Sequence, residues 1–159
     1  MPMDSKLQRK IMGRFATGVT VVTTAGSGGW GGLTANAVVS LSLDPPLVLV
    51  AVDKRAGSHA EIRENRCYAV NILALEHEEV SKRFATPGPK DFSGFTWKTE
   101  ITGAPILDGA LGYLDCRLFE VLPGGDHDIF IGEIVAGDCR EDGQPLLYHS
   151  GKYHRLADH

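Results

Sequence analysis

The chain has 159 residues, of which 43% are hydrophobic and 23% charged, and its formal net charge is −4 at pH 7. This composition is typical of a globular protein and excludes a disordered chain. The acidic balance, without any basic cluster, gives no reason to expect nucleic-acid binding. The length predicts a single domain over residues 1–159, which can build a core without disulfides or a structural metal.

Cysteine usage and hydropathy predict the compartment. The three cysteines, Cys67, Cys116 and Cys139, form no Cys-x-x-Cys pair, which argues against a disulfide framework and favours a reducing environment. The N-terminus lacks an apolar run of signal-peptide length, and no segment reaches the roughly 20 apolar residues that span a bilayer. We therefore expect a cytoplasmic protein without a membrane partner.

The first predicted element is a short amphipathic helix over residues 4–15. Leu7, Ile11 and Phe15 follow one another at intervals of four and form one apolar stripe among basic residues. Residues 18–24 are rich in β-branched side chains and predict a strand.

A glycine-rich segment from Gly26 to Gly31 matches the dinucleotide-binding pattern G-x-G-x-x-G. That site requires a helix to begin at the last glycine, so that its N-terminus faces a pyrophosphate. Residues 33–43 are instead rich in Val, Thr, Ser and Asn, which is typical of a strand. We interpret the glycine-rich segment as a hairpin turn.

The remaining elements follow from apolar periodicity and from Gly and Pro punctuation. Many short strands that do not alternate with helices predict a small antiparallel barrel. On the later helix, Glu78 with Lys82 and Glu79 with Arg83 form favourable i,i+4 pairs. The predicted strands cover 33–43, 47–52, 67–73, 95–99, 111–122, 128–139 and 144–149, the predicted helices cover 59–64 and 76–85, and a polar tail begins at Ser150.

The loop over residues 53–59 has the features of an anion site. Ser58 and Glu61 have the spacing of a capping box, which predicts that a helix begins here. Lys54 and Arg55 precede that helix N-terminus, where free N–H groups and the helix dipole favour an anion. A solvated loop with an ordinary helix cap explains the same residues equally well.

The residues by themselves indicate no metal, P-loop or nucleophile chemistry. His149 and His154 have no cysteine partners, and His77 lacks the second histidine of a zincin motif. We expect no metal site. His127 follows a Gly-Gly-Asp turn at the start of a strand, where its side chain can face a site, although a solvent-exposed turn histidine is the commoner case.

Seven short motifs occur in a fixed order along the chain, and only their combination is specific. They are Phe15 to Thr24 (FATGVTVVTT), Gly32 to Ala37 (GLTANA), Ser42 to Leu47 (SLDPPL), Val70 to Leu73 (VNIL), Gly103 to Pro105 (GAP), Gly125 to Gly132 (GDHDIFIG) and Pro145 to Tyr148 (PLLY). Over about residues 11–156 the chain resembles the short-chain flavin reductases, which supply reduced flavin to two-component monooxygenases.

The resemblance implies a mainly β fold: a Greek-key antiparallel split β-barrel that binds FMN, with a few short helices, forming a homodimer. It implies an NAD(P)H:flavin oxidoreductase that uses FMN or FAD and NADH or NADPH, with a flavin-dependent monooxygenase component as partner. By resemblance, Thr34, Ala35 and Asn36 line the isoalloxazine, and His127 and Tyr153 lie on the nicotinamide side.

The other site residues also come from the resemblance. Lys54, Arg55 and Ser58, together with Ser40, would hold the ribityl phosphate, and Arg83 with Phe84 would close that end. The full implied cofactor site consists of Leu33, Thr34, Ala35, Asn36, Val39, Ser40, Asp53, Lys54, Arg55, Ser58, Arg83, Phe84, His127 and Tyr153. We expect Asn36 and His127 to position cofactors rather than to act as acid or base, because the hydride chemistry belongs to the cofactors. For Arg83, a surface pair with Glu79 is the alternative.

Three functions therefore remain open at the level of sequence. The first is a reductase that releases reduced flavin. The second is a split-barrel protein that holds flavin without nicotinamide turnover, and the third is a flavin-dependent reductase of another acceptor, such as ferric iron or a quinone. The sequence does not decide between FMN and FAD, or between NADH and NADPH.

Overall fold

The computed structural model describes residues 2–158, which are dominated by antiparallel strands. The helices are α1 (Ser5–Met12), α2 (Gly57–Asn65) and α3 (Glu78–Ala85), with a 3₁₀ turn at Leu75–His77. The strands are β1 (Thr17–Gly18), β2 (Thr20–Gly26), β3 (Gly29–Ala35), β4 (Val38–Leu43), β5 (Pro46–Asp53), β6 (Cys67–Ile72), β7 (Trp97–Lys98), β8 (Ile106–Leu107), β9 (Gly112–Gly124), β10 (His127–Cys139), β11 (Leu147–His149) and β12 (Lys152–His154).

The main sheet has seven strands in the order β3-β2-β6-β9-β10-β5-β4. Its two edge strands, β3 and β4, are consecutive in the chain and are joined only by Asn36 and Ala37. Because two residues cannot span an open seven-stranded sheet, the sheet must curl until its edges meet. The result is an antiparallel barrel with a seam between β3 and β4, which confirms the predicted split-barrel fold.

The barrel interior is filled by branched apolar side chains around Tyr68, whose side chain is fully buried. The Tyr68 hydroxyl donates a hydrogen bond of 3.0 Å to the carbonyl of Phe130. A Cβ atom added at Gly132 would lie 2.6 Å from the Tyr68 hydroxyl oxygen. Glycine at position 132 therefore makes room for the Tyr68 hydroxyl inside the barrel core.

A second core lies between α3 and the outside of the barrel. Val80 and Phe84 pack there with Leu107 and Leu146. A Cβ atom added at Gly32 would lie 3.1 Å from the Phe84 ring and 2.6 Å from the carbonyl oxygen of Val22. Glycine on β3 thus allows α3 to approach the strand closely.

Several local predictions are confirmed. Gly26 pairs with Gly29 across a tight β2–β3 hairpin, so the glycine-rich segment is a turn and not a dinucleotide loop. Lys82 lies 3.1 Å from Glu78, and the predicted second pair, between Arg83 and Glu79, is 3.0 Å apart.

None of the helices over residues 2–158 combines the length and the hydropathy needed to cross a membrane.

Three local predictions are wrong. The single strand predicted over residues 33–43 is divided between β3 and β4 by the link of Asn36 and Ala37. The N-cap of α2 is Ala56, which offers no side-chain hydrogen bond, so Ser58 forms no capping box and is only 5% exposed. The segment after Ser150 is not only a polar tail, because β12 pairs with β11, with Tyr153 opposite Tyr148. In β12 the half-buried Tyr153 lies between the exposed Lys152 and His154. A three-residue strand is too short for this alternation to be recognised in the sequence.

A buried carboxylate anchors the loop before β8. Asp115 is fully buried on β9. Its Oδ2 accepts hydrogen bonds from the backbone N–H groups of Ile101 and Thr102, at 2.8 and 3.0 Å. Its Oδ1 accepts a bond of 2.5 Å from the Thr102 hydroxyl. Three donors in one loop therefore depend on one charged acceptor.

We expect Asp115→Ala to lower the free energy of unfolding by about 3 kcal/mol, because it leaves three partly buried donors without their charged acceptor. Asp108→Ala, which removes an exposed carboxyl from a nearby turn, should change it by less than about 0.5 kcal/mol. Urea unfolding followed by circular dichroism measures both values. Equal losses in the two variants would contradict the anchoring role of Asp115.

Candidate functional site

The seam between β3 and β4 is the starting point of the site. Thr34 lies on β3, and its hydroxyl donates a hydrogen bond of 2.6 Å to the carbonyl of Ser81 on α3. Asn36 follows in the link between the two edge strands and is exposed. A β-strand end and a helix are thus joined at the point where the barrel closes, and the amide side chain of Asn36 is accessible there.

A cavity of about 180 Å³ opens beside this joint. Tyr153 lies 2.7 Å from the Ser81 hydroxyl through its own hydroxyl, and its ring packs edge-on against Tyr148 with centroids 5.3 Å apart. The cavity is lined by Val19, Thr34, Asn36, Ser81, Ala85, Tyr148 and Tyr153. Two aromatic rings, hydroxyls and one amide are a suitable lining for a flat, polar heteroaromatic ring.

A second group of predicted residues lies where β5 ends and β10 begins. His127 pairs with Asp53 across the two strands, and the backbone N–H of Lys54 donates to the carbonyl of Asp126 at 3.0 Å. The side chain of His127 is 40% exposed, and its Nδ1 lies 2.7 Å from the Asp126 carboxylate. The hydrogen bond from His127 lowers the pKa of Asp126.

The two basic residues of this second group, Lys54 and Arg55, differ in whether they form an ion pair. Asp53 accepts hydrogen bonds from the backbone N–H of Arg55 at 2.8 Å and from its guanidinium at 2.9 Å. The bonds from the Arg55 side chain and then its backbone hold the pKa of Asp53 far below its usual range. Arg55 is thereby paired with Asp53 at the surface, whereas Lys54 is exposed and forms no ion pair among residues 2–158. Lys54, next to the uncapped N-terminus of α2, is the cation available to an anion.

Both groups flank the same part of the seam. The N–H of Ala51 donates a hydrogen bond of 3.0 Å to the carbonyl of Ala37. Ala37 belongs to the same link as Asn36, and Ala51 lies two residues before Asp53 in β5. The bond therefore brings this link close to the end of β5. The aromatic cavity and the cationic loop therefore lie on either side of the barrel closure, as one ligand with a ring and a phosphate would require.

The other residues predicted to line the cofactor site differ in how exposed they are. Val39 and Ser40 are exposed on the edge strand β4, and Leu33 is half-buried. The carbonyl of Ala35 accepts a hydrogen bond of 2.6 Å from the Thr20 hydroxyl. Ser58 is nearly enclosed within the first turn of α2. Val39 and Ser40 are therefore accessible to a ligand, whereas the side chain of Ser58 is not.

Arg83 and Phe84 on α3 contact the protein itself. Besides the pair with Glu79, Arg83 donates a hydrogen bond of 2.6 Å to the carbonyl of Ser93 and lies over the Phe95 ring at 5.2 Å. Phe84 is 2% exposed, beneath Gly32. In this arrangement Arg83 fastens the loop after α3, and Phe84 supports the site from the core.

Sequence reasoning missed four residues of the cavity. Ser81 is a polar residue on a helix, where exposure is the usual outcome, so nothing in the sequence marks it as buried. Tyr148 belongs to a recognised motif but was interpreted only as part of a strand. The missed residues are Val19, Ser81, Ala85 and Tyr148. Among residues 2–158, no group of three or more His, Cys, Asp and Glu side chains is arranged to hold a metal ion.

Comparison with known proteins identifies the family. The model of the flavin reductase like domain matches residues 12–157. The chain belongs to the flavin reductase like domain family. A protein named NADH-dependent flavin reductase from Rhodococcus sp is 43% identical over 152 residues, which cover 93% of this chain and 84% of that protein. A reductase component of 4-nitrophenol 4-monooxygenase/4-nitrocatechol 2-monooxygenase from Rhodococcus opacus is 40% identical over 152 residues, 96% of this chain and 81% of its own length.

Solved structures agree with this flavin reductase family assignment. Flavin reductase PheA2 has a TM-score of 0.89 at 42% identity, with 98% of this chain and 100% of that chain covered. The NADH:FAD oxidoreductase SgcE6 of Streptomyces globisporus C-1027, in complex with NAD and FAD fragments, has a TM-score of 0.92 at 36% identity, with 99% and 97% covered. The similarity extends over the whole barrel, including both sides of the seam.

The Ser81–Tyr153 contact generates a prediction for this family member. Tyr153→Phe should lower the free energy of unfolding by about 1 kcal/mol, because it removes one partly buried hydrogen bond between β12 and α3. Tyr148→Phe is the matched control: its hydroxyl makes no such bond to α3, and the change should stay within about 0.5 kcal/mol. Urea unfolding measures both variants. A larger loss for Tyr148→Phe would contradict the geometry.

Proposed function

We propose that this protein is an NADH:flavin oxidoreductase that reduces FMN or FAD and releases the reduced flavin to a partner monooxygenase. The observation that carries the proposal is the aromatic cavity and the free cation of Lys54 on either side of one seam. The family assignment supports the reaction, and the relatives named as NADH-dependent support the choice of NADH over NADPH. The relative named as a monooxygenase reductase component supports the partner.

In the proposed complex, Thr34, Ala35 and Asn36 contact the isoalloxazine at the seam. Lys54 and the N-terminus of α2 bind the flavin phosphate. The half-exposed ring of His127 orients the nicotinamide nucleotide. The division is supported by charge, because Asp53 already pairs with Arg55 and leaves Lys54 as the unpaired cation.

Tyr153 completes the proposed site on the cavity side. Its ring is held in place by Tyr148 and its hydroxyl by Ser81, so it offers a fixed aromatic wall rather than a mobile one. Such a wall limits the orientations that a flat ring can take, which is the main contribution a protein makes when two bound cofactors must stack.

When both are bound, the nicotinamide supplies a hydride to the flavin, and neither partner needs a protein proton in that step. The chain's own residues therefore bind, orient and exclude water. Asn36 and His127 act as positioning groups, and Lys54 offsets the charge of the phosphate. We assign no side chain as a general acid or base.

We also propose that residues 1–159 form one flavin reductase-like domain and that the protein is cytoplasmic. The family match over residues 12–157 supports the single domain. Three free thiols, at Cys67, Cys116 and Cys139, support a reducing compartment.

The first test is aerobic NADH and NADPH oxidation, measured by absorbance at 340 nm, with FMN, FAD or no flavin added. Fast oxidation of NADH that depends on added flavin is expected. A yellow protein that retains flavin on gel filtration and does not oxidise NADH would refute the reductase and favour a flavin-binding module. Oxidation that requires ferric iron or a quinone instead of free flavin would favour another acceptor.

Substitution of His127 and substitution of Lys54 should each weaken the binding of a different ligand. We expect His127→Ala to raise KM for NADH about tenfold while changing the flavin Kd less than about threefold, because a positioning contact is worth roughly 1.4 kcal/mol. Lys54→Ala should raise the flavin Kd about tenfold and leave the KM for NADH nearly unchanged. Steady-state kinetics and flavin fluorescence titration measure the two quantities. Equal losses for both ligands in either variant would contradict this placement.

We further propose that the protein is a homodimer. Helix α1 has no buried residue within its own chain, and its apolar Leu7 and Ile11 are 48% and 50% exposed. The helix ends at Met12, before the predicted bound at residue 15, and Phe15 in the following turn is 65% exposed. The edge strand β4 adds Leu43, which is 91% exposed. Large apolar side chains on an edge strand and on an unpartnered helix are typical of a surface that another chain covers, and a second copy is the occupant we propose.

Sedimentation equilibrium tests the dimer. The expected mass is twice that of the 17.1 kDa chain, and Ile11→Glu or Leu43→Arg should shift it toward the monomer. Arg9→Glu is the matched control, since it changes the charge of α1 about 160° around the helix from Ile11. A wild-type protein that stays monomeric at high concentration would refute the homodimer.

A further inference from the structure

A buried histidine–carboxylate pair lies behind the candidate site and is not used by the proposed reaction. His59 of α2 and Asp128 of β10 are 2.7 Å apart through Nε2 and Oδ2. Their side chains are only 13% and 11% exposed. The His59 ring also packs edge-on against Phe130, with centroids 5.1 Å apart. Both of these contacts of the His59 ring are with residues of β10.

Each partner of this pair is next to a residue of the proposed site. Asp128 directly follows His127, and since side chains on a strand alternate in direction, Asp128 points inward where His127 points outward. His59 directly follows Ser58 and lies in the first turn of α2, immediately after the loop that contains Lys54. The pair therefore joins the nicotinamide side to the phosphate side from within the barrel.

The first turn of α2 depends on this contact more than most helix starts do. Its N-cap, Ala56, provides no side-chain hydrogen bond, so the usual local anchor is missing. The tertiary contacts of His59, with the fully buried Ile62 one turn later, take its place. His59 therefore ties the first turn of α2 to β10, while the helix as a whole packs mainly against β2.

We propose that His59 and Asp128 are positioning residues that couple the phosphate-binding loop to the strand of His127, so that flavin and NADH each bind better when the pair is intact. This inference rests on the proposed function for its ligands. Neither side chain reaches a ligand, because both are enclosed. Their effect passes through the backbone of residues 54–58 and of His127.

The kinetic test uses His59→Phe, which keeps an aromatic ring against Phe130 but removes the hydrogen bond. Both the flavin Kd and the KM for NADH should rise about tenfold, while kcat at saturation stays within about twofold, since the cost is one hydrogen bond to a buried charge. His59→Gln places a donor where Nε2 was and should restore most of both values. A fall in kcat with unchanged Kd and KM would overturn the proposal.

A double-mutant cycle separates coupling from general damage. Asp128→Ala should resemble His59→Phe, and the double variant should be no worse than the poorer single variant, because the second change removes a partner that is already lost. Additive losses in both binding constants would overturn the proposal. If His59→Phe does not fold, the cycle is made with His59→Leu, which also removes the hydrogen bond and is smaller than the ring it replaces.

A ligand-free measurement makes the inference independent of the reaction. Amide hydrogen exchange in His59→Phe should be faster at residues 54–58 and at His127, and unchanged at Ile101 and Thr102, which Asp115 holds elsewhere. Acceleration throughout the barrel would indicate loss of stability only and would overturn the proposal. If the wild-type protein oxidises no NADH, the proposed function fails, but the exchange pattern still decides whether the pair couples the two segments.

Discussion

The rest of the structure depends on the two-residue link between β3 and β4. These strands are the edges of the main sheet, and Asn36 and Ala37 alone connect them, so the sheet can satisfy the chain only by closing. Closure brings the residues after β3 to the end of β5, where the hydrogen bond from Ala51 to Ala37 continues the ladder. The seam left by this closure is where the cavity and the cationic loop meet. The site is thus a consequence of how the barrel closes rather than an addition to it.

The packing around the seam relies on glycine at positions where a helix or a ring approaches a strand. Gly32 allows Phe84 to lie directly under β3, which brings Ser81 within reach of both Thr34 and Tyr153. Gly132 accommodates the Tyr68 hydroxyl inside the barrel. Because side chains in a core are close-packed, one methyl group at either position would displace a backbone or a large ring. The shape of the cavity is therefore fixed from beneath as well as at its surface.

Electrostatics in the second half of the site come from unequal pairing of neighbouring charges. Arg55 is bound by Asp53 through three hydrogen bonds, whereas Lys54, one residue earlier, has no such partner within residues 2–158. An adjacent pair of basic residues in the sequence is thus a single available cation in the structure. The His59–Asp128 pair lies behind this loop, away from solvent, and connects it to β10. Lys54, which we propose to bind the phosphate, is exposed, whereas the side chains of the His59–Asp128 pair are largely buried.

The sequence by itself determined the strands that correspond to β2, β5, β6, β9 and β10, the glycine-rich turn between β2 and β3 and the ordered motifs. These depend on residue spacing and backbone preference over a few positions. It also indicated Lys54, Thr34 and His127, through turn and strand-end positions and through resemblance. Only the tertiary structure decided that the N-cap position of α2 is Ala56 rather than Ser58. It also decided that Ser81 and Tyr148 line the cavity and that Phe84 lies beneath it. It likewise decided that His59 meets Asp128, which lies 69 residues away in the chain. These outcomes depend on which strands become neighbours when the sheet closes, and no local pattern in the sequence specifies that.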